Sequence, residues 1–136
     1  MTFSEWFELL RTHWRKEEGQ TMVEFAIALP ILCLMLFAVI QFGITFNNYI
    51  ALTDATRAGA RKGAVSSLSG DPRGACIAAI QASSGLDQTK LQPDCQSDWK
   101  HADDVTATAQ YPYSISLFGL VVKSGFLKAS TTERVE

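Results

Sequence analysis

The dominant feature of the hydropathy pattern is one long apolar run near the N-terminus. No Asp, Glu, Lys or Arg occurs between Glu24 and Asp54, and residues 25–46 are almost wholly apolar. At about 1.5 Å per residue, a helix over this run is long enough to cross a bilayer core of about 30 Å. The apolar part of a secretory signal peptide is shorter, about 7–15 residues. The pattern therefore predicts a membrane-spanning helix that is retained.

Residues before the run show a second helical pattern. Apolar side chains recur on one face of an amphipathic helix, at Phe3, Trp6, Phe7, Leu10 and Trp14. Tryptophan on such a face favours the membrane interface. We expect this segment to lie on the membrane surface, and an ordinary short helix is the alternative.

Residues after Lys62 have the composition of a small polar domain. Gly and Ser in residues 63–72 predict a linker or turn, and residues 73–83 are compatible with a short helix. Residues 84–104 are predicted to be irregular. Residues rich in β-formers predict strands at 105–111, 114–122 and 126–134.

Two features delimit the predicted strands. Pro112 is expected to end the first strand or to place it at an edge, because proline cannot donate a ladder hydrogen bond. Lys123, Ser124 and Gly125 are expected to form the turn before the last strand. The fold class is therefore α+β: a long N-terminal helix, then a small domain with a short helix and an antiparallel sheet of two to three strands.

Composition and charge narrow the class of protein. The chain has 136 residues, a hydrophobic fraction of 47% and a formal net charge of −2. The apolar run raises that fraction above the value for the rest of the chain, because 18 of its 22 residues are hydrophobic. The absence of a basic run argues against nucleic acid as a partner.

The cysteines bear on which side of the membrane the domain occupies. Lys and Arg do not decide, because each flank has three: Arg11, Arg15 and Lys16 before the helix, and Arg57, Arg61 and Lys62 after it. Cys76 and Cys95 predict a disulfide, which forms in an oxidising compartment and would stabilise the domain by about 3 kcal/mol. Two unrelated thiols are the alternative. Cys33 is predicted to be a packing residue.

One polar cluster has metal-ligating side chains: Asp94, Asp98, His101, Asp103 and Asp104. Oxygen ligands of this kind bind Ca²⁺, but the spacing matches no calcium loop and lacks a bidentate Glu. A solvated polar loop is the preferred interpretation. The sequence also has no phosphate-binding loop or nucleophile elbow. We therefore expect no metal, no cofactor and no enzymatic activity.

Glu24 is anomalous at the start of the apolar run. An ionised carboxylate at the edge of a membrane helix costs a few kcal/mol unless it is paired or reaches the interface. Either Glu24 is functional, or it extends into the headgroups, where its charge suits the helix dipole. Composition alone leaves both interpretations open.

The spacing of Gly19 and Glu24 resembles the type IV prepilin processing signal, in which a leader ends in Gly and Glu is the fifth residue of the mature chain. The resemblance implies that a prepilin peptidase cuts after Gly19, that Gln20 becomes the new N-terminus, and that the α-amino group of a neighbouring subunit pairs with Glu24. The chain departs from the pattern in two ways. Its leader has four Glu against three basic residues, and Gln20 is not aromatic.

Three further motifs extend the resemblance: Val23-Glu24-Phe25-Ala26-Ile27-Ala28-Leu29-Pro30-Ile31-Leu32, Phe42-Gly43, and Ala55-Thr56-Arg57-Ala58-Gly59-Ala60-Arg61. Together they resemble the TadE family of tight-adherence (Flp, type IVc) pilus proteins. The resemblance implies a minor pilin or pseudopilin that helps to assemble a pilus for surface adhesion. It also implies a single pass through the inner membrane, a periplasmic C-terminal domain, and lipid, other pilins and the assembly machinery as partners.

Several residues predict local features of the helix. Pro30 removes a backbone hydrogen bond, which predicts a kink or local melting. Asp54 and Arg57 are one turn apart and are expected to pair on the surface. Small side chains form a stripe that permits close approach of a partner helix or of the protein's own domain: Ala51, Ala55, Ala58 and Gly59.

We divide the chain into a leader over residues 1–19, a membrane-spanning and extended helix over 20–62, and a small periplasmic domain over 63–136. The alternative function is an unprocessed, signal-anchored, single-pass membrane protein with an extracytoplasmic binding domain. A third hypothesis, a membrane-anchored metal-dependent hydrolase, would require Asp98 or His101 for activity.

Overall fold

The computed structural model describes residues 18–68, 70–117 and 119–135, except for the side chains of Glu18 and Leu117. The interfacial helix predicted over residues 3–14 lies outside these ranges. The elements are, in chain order, helices α1 (Glu18–Val65) and α2 (Pro72–Ser84) and strands β1 (Gln92–Gln96), β2 (Asp104–Leu117) and β3 (Leu120–Arg134). The α+β class is confirmed.

Helix α1 carries the apolar run. It is the helix, among the described residues, that is long and apolar enough to cross a membrane. Helical structure continues through Pro30, so the helix does not melt there, and the kink stays a prediction. The described residues divide into two units, the first ending at Val39 and the second beginning at Ile40. In the first unit, every residue from 19 to 39 is exposed except Cys33, which is half-buried.

Helix α2 confirms the short helix predicted over residues 73–83 and has clear end signals. The Asp71 carboxylate accepts a hydrogen bond of 2.8 Å from the Gly74 amide, which caps the N-terminus. Pro72 occupies the first turn, where its missing N–H has no helical partner to lose. Gly85 ends the helix with a left-handed φ of 61°, which glycine adopts at little cost.

The predicted linker over residues 63–72 is shorter than expected. Helix α1 continues to Val65, and Gly63 and Ala64 are buried. Packing against Val105 extends the helix beyond the point where composition changes. The predicted domain boundaries stay predictions, but residues 52–64 contribute directly to the core of the second unit.

The sheet is antiparallel with the order β1-β2-β3. The prediction that residues 84–104 are irregular was wrong at β1, because this strand has no alternating apolar pattern to reveal it. Its pairing runs from Gln92 opposite Gln110 to Gln96 opposite Thr106, and its buried residue is Cys95. Tertiary pairing with β2, and not local preference, makes this segment a strand.

The predicted turn at Lys123, Ser124 and Gly125 was also wrong, because these residues lie inside β3. The chain turns instead at Gly119, which has a φ of 81°. Consequently the strands predicted over 114–122 and 126–134 are replaced by one long hairpin of β2 and β3.

Gly125 and Pro112 have different roles within this hairpin. Gly125 pairs with Tyr113, and a Cβ on Gly125 would lie 3.1 Å from Tyr113 Cε1, so the glycine makes room for the aromatic ring. Pro112 does not end β2. The pairing of β1 with β2 ends at Gln110, so Pro112 lies beyond it and pairs with β3 alone. This confirms the alternative that Pro112 occupies an edge.

The core of the second unit is built largely from small side chains. Its main cluster combines residues of both helices and the sheet: Leu52, Ala55, Ala60, Cys76, Ile80, Leu91, Cys95, Ala107, Ala109 and Ala129. A second cluster joins Ala64, Val105 and Val135, and Trp99 packs against both. A core so rich in Ala requires close backbone approach, because few large side chains are present to fill space.

Candidate functional site

The junction predicted to be processed lies within the described part of α1, which includes Gly19. Gln20 and Glu24 lie one turn apart and both are exposed. The Gln20 Nε2 amide donates a hydrogen bond of 3.2 Å to Glu24 Oε1. The helix therefore holds the predicted new N-terminal residue and the conspicuous carboxylate next to each other, one turn apart.

Gly19 has no local packing role among the described residues. A Cβ built on Gly19 meets no atom of the described chain within 4 Å. The same is true of Gly43 further along α1. Packing among the described residues therefore does not require glycine at either position.

The apolar surface of α1 around this junction is bare. No residue of its most apolar window is buried by the described part of the protein, and large exposed side chains include Phe25, Ile31, Met35 and Val39. Phe42 and Phe46 stack on each other with ring centroids 6.1 Å apart. A continuous apolar surface of this size needs cover from lipid or from other helices.

The stripe of small side chains on α1 packs in part against the protein's own domain. Ala55 and Gly59 are buried against the protein's own domain, and the place where a Gly59 side chain would begin is filled by the Ile80 side chain. The own-domain alternative is therefore confirmed for these two residues. Arg57 and Arg61 of the same motif are exposed, and Arg57 Nη1 lies 3.4 Å from Asp54 Oδ1, as predicted.

A hydroxyl pair that the sequence did not suggest joins α1 to the sheet. Thr56 is fully buried, and its Oγ1 donates a 2.8 Å hydrogen bond to the Thr53 carbonyl. Its single proton is then used, so the 3.0 Å contact with Thr131 Oγ1 is donated by Thr131. Pattern alone does not distinguish this threonine from an exposed one.

The predicted disulfide is present. Cys76 of α2 and Cys95 of β1 are bonded with an S–S distance of 1.98 Å and a Cα–Cα distance of 6.4 Å. Both residues are buried in the main core cluster. Cys33 is a free, half-buried thiol.

The acidic cluster is dispersed. Arg73 Nη2 donates a 2.8 Å hydrogen bond to Asp94 Oδ1, and this bond, with another from Gln96, holds the pKa of Asp94 below its usual value. Asp98 and His101 are exposed. Within the ranges that the structure describes, no three metal-ligating side chains come together. The cluster belongs to surface loops and ion pairs.

One family model matches the N-terminal part of the chain. It is described as TadE-like protein and matches residues 19–61, about a third of the chain. We call residues 19–61 the TadE-like segment. No curated protein and no solved structure matches the chain.

The TadE-like segment coincides with a structural division of α1. It begins at Gly19 and ends at Arg61, so it contains both the bare apolar surface and the part of the helix that docks on the domain. Helix α2, the disulfide and the sheet lie after the match. The family match therefore covers the exposed apolar part of α1 and the part of α1 that packs against the domain.

Proposed function

We propose that this protein is a minor pilin or pseudopilin that takes part in assembly of a tight-adherence (Flp, type IVc) pilus for surface adhesion. One observation carries the proposal: the TadE-like segment begins at Gly19 and places Gln20 and Glu24 together on a bare apolar helix. The role is structural and not catalytic.

Processing after Gly19 is the first step of the proposed role. A peptidase binds its substrate in an extended form, so α1 must open locally around Gly19. Glycine favours this opening because it is a poor helix former. A residue without Cβ also allows close approach of a protease to the peptide bond.

Cleavage creates a partner for Glu24. The new α-amino group of Gln20 in a neighbouring subunit carries a positive charge, and pairing offsets the cost of placing the carboxylate among apolar helices. Within one chain, the Gln20 amide already satisfies one Glu24 oxygen at 3.2 Å. A charged neighbour would form a stronger hydrogen bond than this amide and would set the axial position of adjacent helices.

The proposed setting follows from the helix and the disulfide. Helix α1 spans the inner membrane once, in contact with lipid, and the domain after it lies in the periplasm. Disulfides persist in that compartment, which supports this orientation. The proposed partners are the prepilin peptidase, other pilins or pseudopilins and the inner-membrane assembly machinery, without nucleic acid, metal or cofactor.

Replacing Gly19 by Val is expected to block processing. Mass spectrometry of the membrane form, with the peptidase co-expressed, should find wild-type chains that start at Gln20 and Gly19→Val chains that keep the leader. Gly43→Val is the matched control, because Gly43 also faces open space on α1, and it should be processed normally. Full-length wild-type chains in the presence of active peptidase would contradict the proposal and favour an unprocessed signal-anchored protein.

Replacing Glu24 by Gln is expected to leave processing intact and to weaken association with other pilus subunits. Loss of an ion pair worth more than about 1.4 kcal/mol lowers an association constant at least about tenfold. Co-purification from detergent-solubilised membranes measures the effect. Asp54→Asn is the control, because Asp54 pairs with Arg57 on the surface. Wild-type recovery of partners with Glu24→Gln would show that this carboxylate is not a subunit contact.

A further inference from the structure

The hairpin of β2 and β3 extends well beyond the rest of the sheet. Pairing of β1 with β2 stops at Gln92 opposite Gln110, whereas β2 and β3 stay paired from Tyr111 opposite Leu127 to Leu117 opposite Leu120. We call the paired residues 111–117 and 120–127 the hairpin arm. The arm is a two-stranded projection, which is rarely stable without additional contacts.

Exposed apolar side chains lie along β3 of the hairpin arm, three of them at its tip and Phe126 nearer its base. Leu120, Val121 and Val122 are 75%, 64% and 64% exposed, and Phe126 is 54% exposed. Successive strand residues point to opposite faces, so the arm is apolar on both faces. In contrast, the exposed residues at the base of β3 are polar: Ser130, Thr132, Glu133 and Arg134.

Two contacts give the direction of the hairpin along α1. A Cβ on Gly63 would lie 3.2 Å from Val105 Cγ1, at the base of the hairpin. Thr131, which pairs with Ala107, contacts Thr56 at 3.0 Å. Movement from the base toward the tip therefore corresponds to movement back along α1, from Gly63 toward Thr56 and the apolar run.

The length of the hairpin carries its tip to the level of Phe46, which belongs to the same unit as the hairpin. Ten strand positions separate Ala107 from Leu117, which is about 33 Å at about 3.3 Å per residue. Ten helical positions separate Thr56 from Phe46, the end of the apolar run, which is about 15 Å. The tip thus reaches the level of Phe46 even if the hairpin is inclined to the helix by about 60°.

The charge and aromatic content of the hairpin match a lipid surface. Lys123 and Lys128 are the charged residues between Val105 and Thr132, so this stretch carries positive charge and no carboxylate. Lysine near a membrane surface is attracted to anionic headgroups. Tyr113 in the arm has the amphipathic ring that is enriched at the membrane interface.

We propose that the end of the hairpin arm inserts into the lipid leaflet beside the protein's own helix. Leu120, Val121 and Val122 lie among the acyl chains near the headgroups, and Lys123 contacts lipid phosphate. The inference rests on the proposed membrane span of α1. It gives the domain a second membrane contact, which fixes the domain's orientation relative to the bilayer.

Depth measurements on the full-length protein test the proposal. Spin labels are placed singly on Phe42→Cys, Val121→Cys or Thr132→Cys in a Cys33→Ala background, in which the remaining cysteines are disulfide-bonded. The protein is reconstituted in vesicles of phosphatidylethanolamine and phosphatidylglycerol. We expect the labels at 42 and 121 to collide with oxygen and to lose contact with a water-soluble nickel chelate, and the label at 132 to show the opposite.

The three labelled positions distinguish failure of the hairpin proposal from failure of the proposed membrane span. If the label at 121 is open to the nickel chelate while that at 42 stays in lipid, the hairpin proposal is overturned and the membrane span stands. If the label at 42 is also in water, the span itself is wrong. Shielding of the label at 121 from both reagents would show a protein contact in place of lipid, which also overturns the proposal.

Reversal of the charge beside the tip tests the contact with phosphate. Lys123 is exposed, so Lys123→Glu should not disturb the fold. We expect a shift of the label at 121 toward water in the anionic vesicles. An unchanged depth would overturn the role assigned to Lys123.

Discussion

Gly59→Leu is expected to lower the free energy of unfolding of the domain by about 3 kcal/mol or more, the upper part of the range for overpacked cores. The side chain of Ile80 already occupies the place of a Cβ at position 59, and the Cys76 carbonyl oxygen lies 3.1 Å from it. Ile80 cannot relieve the overlap by changing rotamer alone, because the carbonyl is backbone. Helix α2 would have to move away from α1, and the disulfide of Cys76 resists that movement.

Urea unfolding in detergent measures this effect through the fluorescence of Trp99, which packs against both core clusters. Trp6→Phe and Trp14→Phe in the background leave Trp99 as the reporter. Gly43→Leu is the matched control, since Gly43 has open space around it, and its unfolding midpoint should match the parent. Ile80→Ala should restore part of the stability of Gly59→Leu. An unchanged midpoint for Gly59→Leu would mean that α1 and α2 do not pack as described.

Removal of the disulfide is expected to have an effect of similar size. Cys76→Ser combined with Cys95→Ser should lower the free energy of unfolding by about 3 kcal/mol, the loop-closure value for a separation of 19 residues. The loss should be severe for this domain, because most of its buried hydrophobic side chains are the small ones of Ala and Cys. The bridge also holds α2 against β1, a strand that local sequence preference does not support.

The same urea experiment tests the disulfide. Cys33→Ser is the control, because Cys33 lies outside the domain core and is a free thiol. It should leave the midpoint unchanged, while dithiothreitol should lower the midpoint of the parent to that of the double variant. Equal midpoints for the parent and the double variant would show that small-residue packing alone stabilises the domain.

Features with a local physical signal could be predicted well. The apolar run predicts α1 because its length matches a bilayer, and the short helix α2 begins at Pro72, directly after its capping residue Asp71. The disulfide followed from two cysteines in a polar domain. The junction of Gly19, Gln20 and Glu24 was found from spacing, and the helix places Gln20 and Glu24 on one exposed face.

Features that depend on residues distant in the sequence could not be predicted from it. Strand β1 is polar and becomes a strand by pairing with β2. Glycine is typical of turns, yet Gly125 lies in β3. The Tyr113 ring on the neighbouring strand occupies the space beside it that a larger side chain would need. The burial of Thr56 depends on Thr131, which is far away in sequence.

The sequence by itself determined a long apolar helix with a processing-type junction, a small domain with a disulfide, and the α+β class. These features follow from hydropathy, helix capping and cysteine content, which act locally. Only the tertiary structure decided that Ala55 and Gly59 face the domain, since the stripe suits a partner helix equally well. It also decided the direction of the hairpin along α1. That direction depends on contacts between residues 56 and 131 and between residues 63 and 105, which no local pattern records.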